Sequence, residues 1–124
     1  EVHFSPFVEH PEIPNCGASP DRLVGDVGGL EIKCPLERNH LKFIMSGAVD
    51  KEYFWQCMHG IACTKRNWWD LYYYHPDFPP NLQSRRVRIA RDAEQIALLE
   101  REIRIFNAEV DEAIAELKKI QEAA

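Results

Sequence analysis

Two carboxylates and a lysine are concentrated in the stretch Ser19–Pro35, whose sequence is SPDRLVGDVGGLEIKCP. Asp21 is followed ten residues later by Glu31, and Lys33 comes two residues after Glu31. Carboxylate oxygens are hard ligands that suit Mg²⁺ or Mn²⁺, and the backbone carbonyl of Ile32 is a further candidate ligand. A lysine beside such an ion can orient or deprotonate a water molecule, which the metal makes more acidic. This combination indicates attack on a phosphodiester, where a metal offsets the charge that grows on the phosphate oxygens.

The same stretch predicts a β-hairpin that brings these side chains together. One strand contains Leu23–Val24, glycines within Gly25–Gly29 mark the turn, and the second strand covers Leu30–Cys34. Because residues two apart in a strand point to the same face, Glu31 and Lys33 should project together, and the paired strand can bring Asp21 alongside them. The alternate side chains of the second strand are expected to face the core: Leu30, Ile32 and Cys34.

A simpler interpretation is available for part of this pattern. A Glu-x-Lys tripeptide also occurs by chance as a solvated ion pair on the face of an ordinary hairpin. The presence of Asp21 ten residues upstream, with a turn between, makes a metal site an equally good interpretation.

Five short motifs resemble, in order and spacing, the YqaJ-like viral recombinase family, the lambda-exonuclease-like branch of the PD-(D/E)xK nuclease superfamily. They are SPD, GLEIKCP, Tyr53-x-x-Gln56, Trp69-Asp70 and Tyr74-x-Pro76. The resemblance extends from about Phe4 to the C-terminus, and SPD followed by EIKCP is its most specific part. It implies an α/β fold with a restriction-endonuclease-like core, in which a mixed β-sheet is flanked by helices and followed by a long C-terminal helix.

The resemblance also implies an activity, namely Mg²⁺- or Mn²⁺-dependent hydrolysis of DNA, with 5′→3′ digestion of one strand of a duplex in phage or prophage recombination. The metal would be held by two carboxylates and one carbonyl, those of Asp21, Glu31 and Ile32. Lys33 would position the attacking water, and Gln56 would contact that water or the scissile phosphate. The alternative for Gln56 is a buried polar residue that is satisfied by the backbone.

Family members act on double-stranded DNA as ring-shaped trimers beside a single-strand annealing protein, and the same partners are implied here. They also carry an N-terminal helical half that contributes a further acidic metal ligand. We therefore expect residues 1–124 to form a single nuclease core that is truncated at the N-terminus, with weakened or no activity. Two other functions remain open: another PD-(D/E)xK endonuclease or repair nuclease, and a non-catalytic prophage remnant that binds DNA or a protein partner.

Composition sets further bounds. The 124 residues are 45% hydrophobic and 28% charged, which is typical of a soluble globular domain, and no apolar run approaches the ~18 residues of a membrane span. The net charge of −5 lies entirely in Asp92–Ala124, which has 9 acidic and 4 basic residues, so it does not exclude a DNA substrate.

The four cysteines show no C-x-x-C spacing, so neither a zinc site nor an iron–sulfur site is expected. Reduced thiols in the cytoplasm of a bacterial or phage-infected cell fit this pattern.

Apolar periodicity and capping residues predict the other elements. In chain order they are an edge strand over Val2–Val8, a short helix ending at Gly47, a helix over Lys51–Thr64 with Asp50 as N-cap, strands over Trp68–Tyr74 and Ser84–Ala90, and a long helix starting at Asp92. In that last helix, apolar residues from Ile96 to Ile120 keep a heptad alternation, which indicates packing on the sheet, on a partner helix, or on both.

Two further sets of polar residues have more than one interpretation. Arg86 and Arg88 share one face of a predicted strand, where they can either contact a phosphate backbone or lie on a solvated surface. His40 is a candidate metal ligand or general base, but a lone histidine near a helix start is more often structural.

Overall fold

Seven strands and three α-helices make up the chain, and the computed structural model describes all residues from 1 to 124. The strands are β1 (Val2–His3), β2 (Val8–Glu9), β3 (Gly17–Ala18), β4 (Arg22–Val24), β5 (Gly28–Lys33), β6 (Trp68–Tyr74) and β7 (Ser84–Ala90). The helices are α1 (Glu37–Ser46), α2 (Lys51–Thr64) and α3 (Ala93–Ala123), and a single 3₁₀ turn covers Pro80–Leu82.

A five-stranded mixed sheet in the order β1-β4-β5-β6-β7 forms the centre of the molecule. Its neighbours are antiparallel except β5 and β6, which are parallel. A parallel pair needs a long crossover, and α1 and α2 provide it. This arrangement confirms the predicted α/β class with a mixed sheet, flanking helices and a long C-terminal helix.

The predicted hairpin is present as β4 and β5, but its turn is shorter than expected. Gly28 and Gly29 lie in β5 instead of in the turn, opposite Val24 and Leu23. Both glycines are needed for close packing, because a Cβ at Gly28 would collide with the ring of Trp68, and one at Gly29 with the ring of Trp69. The sequence pattern could not separate this use of glycine from its use in turns.

The predicted assignment of faces in β5 is wrong. Ile32 is 41% exposed and Cys34 is also exposed, whereas Glu31 is only 6% exposed. The reason is that α2 packs on the face that carries Glu31 and Lys33, so the polar side chains of this strand point toward the covered side.

The predicted edge strand over Val2–Val8 is also corrected. It is divided into β1, which pairs with β4, and β2, which pairs with β3 in a separate two-stranded sheet. Pro6 lies between the two pieces, and it has no N–H to continue a ladder.

Caps fix both crossover helices as predicted. Gly47 ends α1 in the left-handed region with φ 67°, and its N–H donates to the Phe43 carbonyl. The side chain of Asp50 begins α2 by accepting a 2.9 Å hydrogen bond from the N–H of Glu52. α1 starts at Glu37, a few residues before the apolar run from which it was predicted.

The core lies between the sheet and α2. Trp69, Leu71 and Tyr73 of β6 are at most 4% exposed, and they face α2 residues such as Ile61, which is fully buried. Gly60 allows this close approach, because a Cβ there would lie 2.9 Å from the Trp69 ring.

Only the first turns of α3 pack on the rest of the chain. Ile96 is buried in the core, and α3 contacts α2 more than it contacts the sheet. The heptad stripe then becomes exposed, with Phe106 at 62%, Leu117 at 65% and Ile120 at 66%. None of the helices combines the length and the apolar character that crossing a bilayer requires.

Leu71→Ala should lower the free energy of unfolding by about 2–5 kcal/mol, because it removes a fully buried side chain and leaves a cavity. The matched control is Leu117→Ala on the exposed stripe of α3, which should change stability by no more than about 0.5 kcal/mol. Urea denaturation followed by circular dichroism measures both, and equal effects of the two variants would contradict the position of the core.

Candidate active site

Asp21 lies just before β4. Its side chain is half-buried and contacts the neighbouring strand, β5. Its Oδ2 accepts a 2.8 Å hydrogen bond from the backbone N–H of Ile32. Because the N–H and C=O of one strand residue point to the same edge, the Ile32 carbonyl is also directed toward the Asp21 side of β5. The short pairing of β4 with β5, which ends at Arg22 opposite Leu30, leaves this edge free for the Asp21 side chain.

Glu31, Lys33 and Gln56 form a closed hydrogen-bonded triangle. Lys33 Nζ donates to Glu31 Oε1 at 3.1 Å and to Gln56 Oε1 at 2.6 Å. Gln56 Nε2 donates to the same Glu31 Oε1 at 2.6 Å. Both contacts to the glutamate use Oε1, which leaves Oε2 for another partner. The structure therefore brings the predicted side chains together, and the alternative of a Gln56 satisfied only by the backbone does not apply.

Tyr53 supports this triangle from α2. It lies three residues before Gln56 on the same side of the helix, and the Lys33 ammonium sits 4.6 Å from the centre of its ring. Tyr53 is part of the Tyr53-x-x-Gln56 motif, but no role follows for it from the motif alone. Its role depends on the docking of α2 over β5, which only the fold defines.

Burial raises the pKa of the Glu31 carboxyl, and the nearby Asp21 carboxylate raises it further, while the hydrogen bond from Lys33 acts in the opposite direction. The Cys57 thiol, beneath the site on α2, has its pKa raised to about 12 by burial and then by the charge of Glu31. Burial and the neighbouring carboxylate thus both favour the neutral form of this thiol.

The donor atoms here fit a hard divalent cation. Two carboxylates and one backbone carbonyl are the oxygen donors that Mg²⁺ and Mn²⁺ prefer, from Asp21, Glu31 and Ile32. A divalent cation would also offset the repulsion between the two carboxylates that raises the pKa of Glu31.

The two arginines for which a phosphate contact and a solvated surface were equally open, Arg86 and Arg88, are paired with a carboxylate of the sheet. Arg88 makes a bidentate contact with the buried Asp70, at 2.8 and 3.0 Å, and its guanidinium lies 3.6 Å from the centre of the Trp68 ring. Arg86 approaches the same carboxylate at 3.4 Å. These two arginines therefore lie on the outer face of the sheet, which the helices do not cover, and their charges are paired with the Asp70 carboxylate.

His40 lies outside the candidate site. It is fully buried, and its Nε2 pairs with the Leu82 carbonyl at 2.8 Å. The ring packs edge-on against Phe78 with centroids 4.5 Å apart. These contacts favour the structural interpretation over a catalytic one.

Two other groups of potential metal ligands lie away from Asp21 and Glu31. One consists of Cys16, His59 and Cys63, and the other of Glu37, His75 and Asp77. Cysteine spacing alone does not predict the first group, because His59 and Cys63 are neighbours on α2 but Cys16 joins them only through a tertiary contact.

Comparison with known proteins identifies the family. The model of the YqaJ-like viral recombinase domain matches residues 1–67, which include Asp21, Glu31, Lys33 and Gln56. The chain belongs to this family.

This YqaJ-family chain is similar over its whole length to an alkaline exonuclease, LHK-Exo, from Laribacter hongkongensis. Its crystal structure has a TM-score of 0.96 and 40% identity, covering 100% of this chain and 64% of that chain. The structure of LHK-Exo in complex with dAMP has a TM-score of 0.96 and 39% identity, with the same coverage. The match confirms the predicted nuclease fold, although this chain spans only 64% of the length of those enzymes. No curated protein sequence matches significantly.

Glu31→Gln should raise the melting temperature by a few degrees at neutral and alkaline pH. The folded-state pKa of Glu31 is raised, so its protonated form favours the fold, and that contribution is lost as the pH rises through the folded pKa. Glutamine is neutral at every pH, and its carbonyl can still accept from Lys33 and Gln56. The gain should vanish well below about pH 4, where wild-type Glu31 is protonated in both states. Thermal melts of both proteins across this range test the prediction, and a pH-independent difference would contradict it.

Proposed function

We propose that this chain is the core of a metal-dependent exonuclease that hydrolyses DNA phosphodiesters, digesting one strand of a duplex in the 5′→3′ direction. The observation that carries the proposal is the Glu31–Lys33–Gln56 triangle beside Asp21, within a family member that is 40% identical to an alkaline exonuclease. The complex of LHK-Exo with dAMP supports a DNA substrate, since dAMP is a nucleotide unit of DNA.

In this proposal Asp21, Glu31 and the Ile32 carbonyl hold one Mg²⁺ or Mn²⁺. A bound metal would supply Lewis-acid stabilisation of the phosphate and a more acidic water. The hydrogen bond from the Ile32 N–H holds one carboxylate oxygen of Asp21 in place. The same contact restricts the direction of the second carboxylate oxygen, which would bind the metal. Burial of Glu31 limits competition from bulk water for its remaining oxygen.

Lys33 positions the attacking water. Its ammonium is restrained on three sides, by Glu31, by Gln56 and by the ring of Tyr53. This restraint removes most of the rotamer freedom of a long side chain, so the group is preorganised where negative charge develops. Gln56 fixes the orientation of both neighbours and can itself contact the water or a phosphate oxygen.

A route for the substrate lies beside Tyr53. A cleft of about 600 Å³ opens between α1, the start of α2 and β6, and both Tyr53 and Tyr73 line it. Asn39 and Lys42 give this cleft polar and basic groups for a DNA strand, and Asp50 adds one acidic group. Tyr53 connects the cleft to the candidate site, because its ring contacts the Lys33 ammonium. The acidic excess of α3 lies on another element, which limits its repulsion of DNA.

We also propose where this nuclease core acts and which partners it binds. We infer a single nuclease core over residues 1–124 that acts on phage or prophage DNA in the cytoplasm. A ring-shaped homotrimer and a single-strand annealing protein are the proposed partners, and the exposed apolar stripe of α3 provides a surface for one of them. Cutting of closed circular DNA would favour the endonuclease alternative, because an exonuclease requires a free end.

Lys33→Ala should reduce nucleotide release from linear duplex DNA by at least about 100-fold, because it removes the group that positions the water. Lys118→Ala is the matched control: it removes an exposed lysine of α3 and should leave the rate unchanged. Release of labelled nucleotides in the presence of Mg²⁺ measures both. If wild type and Lys33→Ala give the same background release, the catalytic proposal is wrong.

Asp21→Asn should weaken Mg²⁺ binding by about 10-fold or more and lower activity at limiting metal, because it removes a charged ligand while keeping an acceptor for the Ile32 N–H. Titration calorimetry with Mg²⁺ measures the affinity directly, and EDTA should abolish activity in the wild type. The control is Asp26→Asn in the β4–β5 turn, which should bind Mg²⁺ like the wild type. Unchanged binding in Asp21→Asn would contradict the proposed ligand set.

A further inference from the structure

A second site with different chemistry lies further along α2, toward the C-terminal end of the helix. The ligand atoms of Cys16, His59 and Cys63 all lie within 4.8 Å of one another, and we refer to these three residues as the thiol–imidazole cluster. Cys16 immediately precedes β3, and the other two residues belong to α2. The spacing of His59 and Cys63 is i, i+4, which places both on one face of the helix.

One ligand-to-ligand distance in the cluster matches that expected around a tetrahedral ion. Zinc lies about 2.3 Å from thiolate sulfur and about 2.0–2.1 Å from imidazole nitrogen, so tetrahedral angles require roughly 3.6 Å between S and N ligands. The observed distance from His59 Nε2 to Cys63 Sγ is 3.6 Å. Nε2 donates its proton to the Gly17 carbonyl at 2.9 Å, so Cys63 Sγ can only accept a weaker, shared N–H···S contact at this separation, and an experiment must distinguish that contact from shared metal binding.

One carboxylate is held close to the cluster. Glu100 pairs with His10 Nε2 at 2.9 Å, so its negative charge is fixed near the thiols, while Arg104 supplies an opposing positive charge. Burial raises the pKa of Cys63 to about 12 and also raises the pKa of Cys16, so both thiols carry their protons until a metal displaces them. Metal binding at these residues should therefore release protons.

We propose that Cys16, His59 and Cys63 bind one Zn²⁺ ion, separately from the hard cation proposed for Asp21 and Glu31. Two soft thiolates and an imidazole are the donors that select zinc over magnesium. The three protein ligands leave the fourth position for water. Metal binding requires the His59 proton on Nδ1, because the Nε2 that now contacts the Gly17 carbonyl at 2.9 Å becomes the ligand.

The ion would tie two distant segments together. Cys16 belongs to the β2–β3 hairpin, and three residues after Ala18 the chain reaches Asp21. Zinc would therefore fix the segment that carries Asp21 against α2, the helix that carries Gln56. The predicted effect is a structural one, in which binding free energy contributes to the stability of the fold.

Co²⁺ binding to the full chain under reducing conditions tests the proposal, with excess Mg²⁺ present to occupy the carboxylates. Wild type should bind one equivalent with a thiolate-to-cobalt charge-transfer absorption that Zn²⁺ abolishes by displacement. Cys16→Ser and Cys63→Ser should lose this absorption and bind zinc at least about 100-fold more weakly, since changes to groups beyond the ligands alone cost 10–100-fold. Cys34→Ser, which removes an exposed thiol elsewhere, is the matched control and should behave like the wild type.

Thermal melts give a second readout that does not depend on nuclease activity. Zinc should raise the melting temperature of wild type and Cys34→Ser, but not that of His59→Gln, and circular dichroism of each metal-free variant checks that it is folded. Absence of a thiolate-to-cobalt band in the wild type would overturn the proposal. So would an unchanged band in both Cys16→Ser and Cys63→Ser, or formation of a Cys16–Cys63 disulfide in air by a reduced protein that binds no zinc.

Discussion

The buried carboxylate of Glu31 is the constraint around which this molecule is arranged. A charge that is 6% exposed is costly, and two groups offset part of that cost, the Lys33 ammonium and the Gln56 amide. Lys33 is in the same strand, but Gln56 reaches the carboxylate only because α2 docks over β5. Strand pairing, helix docking and the candidate site therefore form one interdependent arrangement.

Small residues set the distances that this arrangement needs. Trp69 lies between α2 and the sheet, and it can do so because Gly29 and Gly60 leave room for its ring on both sides. A side chain at either position would push the helix away from β5 and lengthen the contacts from Gln56. The close packing of the core thus determines the geometry of a polar site that contributes little apolar area of its own.

Charge in this chain is divided among separate surfaces, which explains why net charge is a poor guide to its function. The arginines of β7 neutralise the buried Asp70 on the outer face of the sheet, and the acidic excess lies on α3. The carboxylates of the candidate site are on the opposite side of the sheet from those arginines. The thiol–imidazole cluster adds a third environment, with soft ligands beside the fixed charge of Glu100.

The sequence by itself determined what depends on local periodicity, capping and motif spacing. It predicted α2 with its cap at Asp50, the bounds of β6 and β7 and the hairpin, and the family resemblance proposed four candidate side chains, Asp21, Glu31, Lys33 and Gln56. Only the tertiary structure decided which face of β5 is covered, because an alternating pattern shows two faces but not which of them a helix will bury. It alone brought together Cys16 and His59, since a contact between residues 43 positions apart leaves no trace in local spacing.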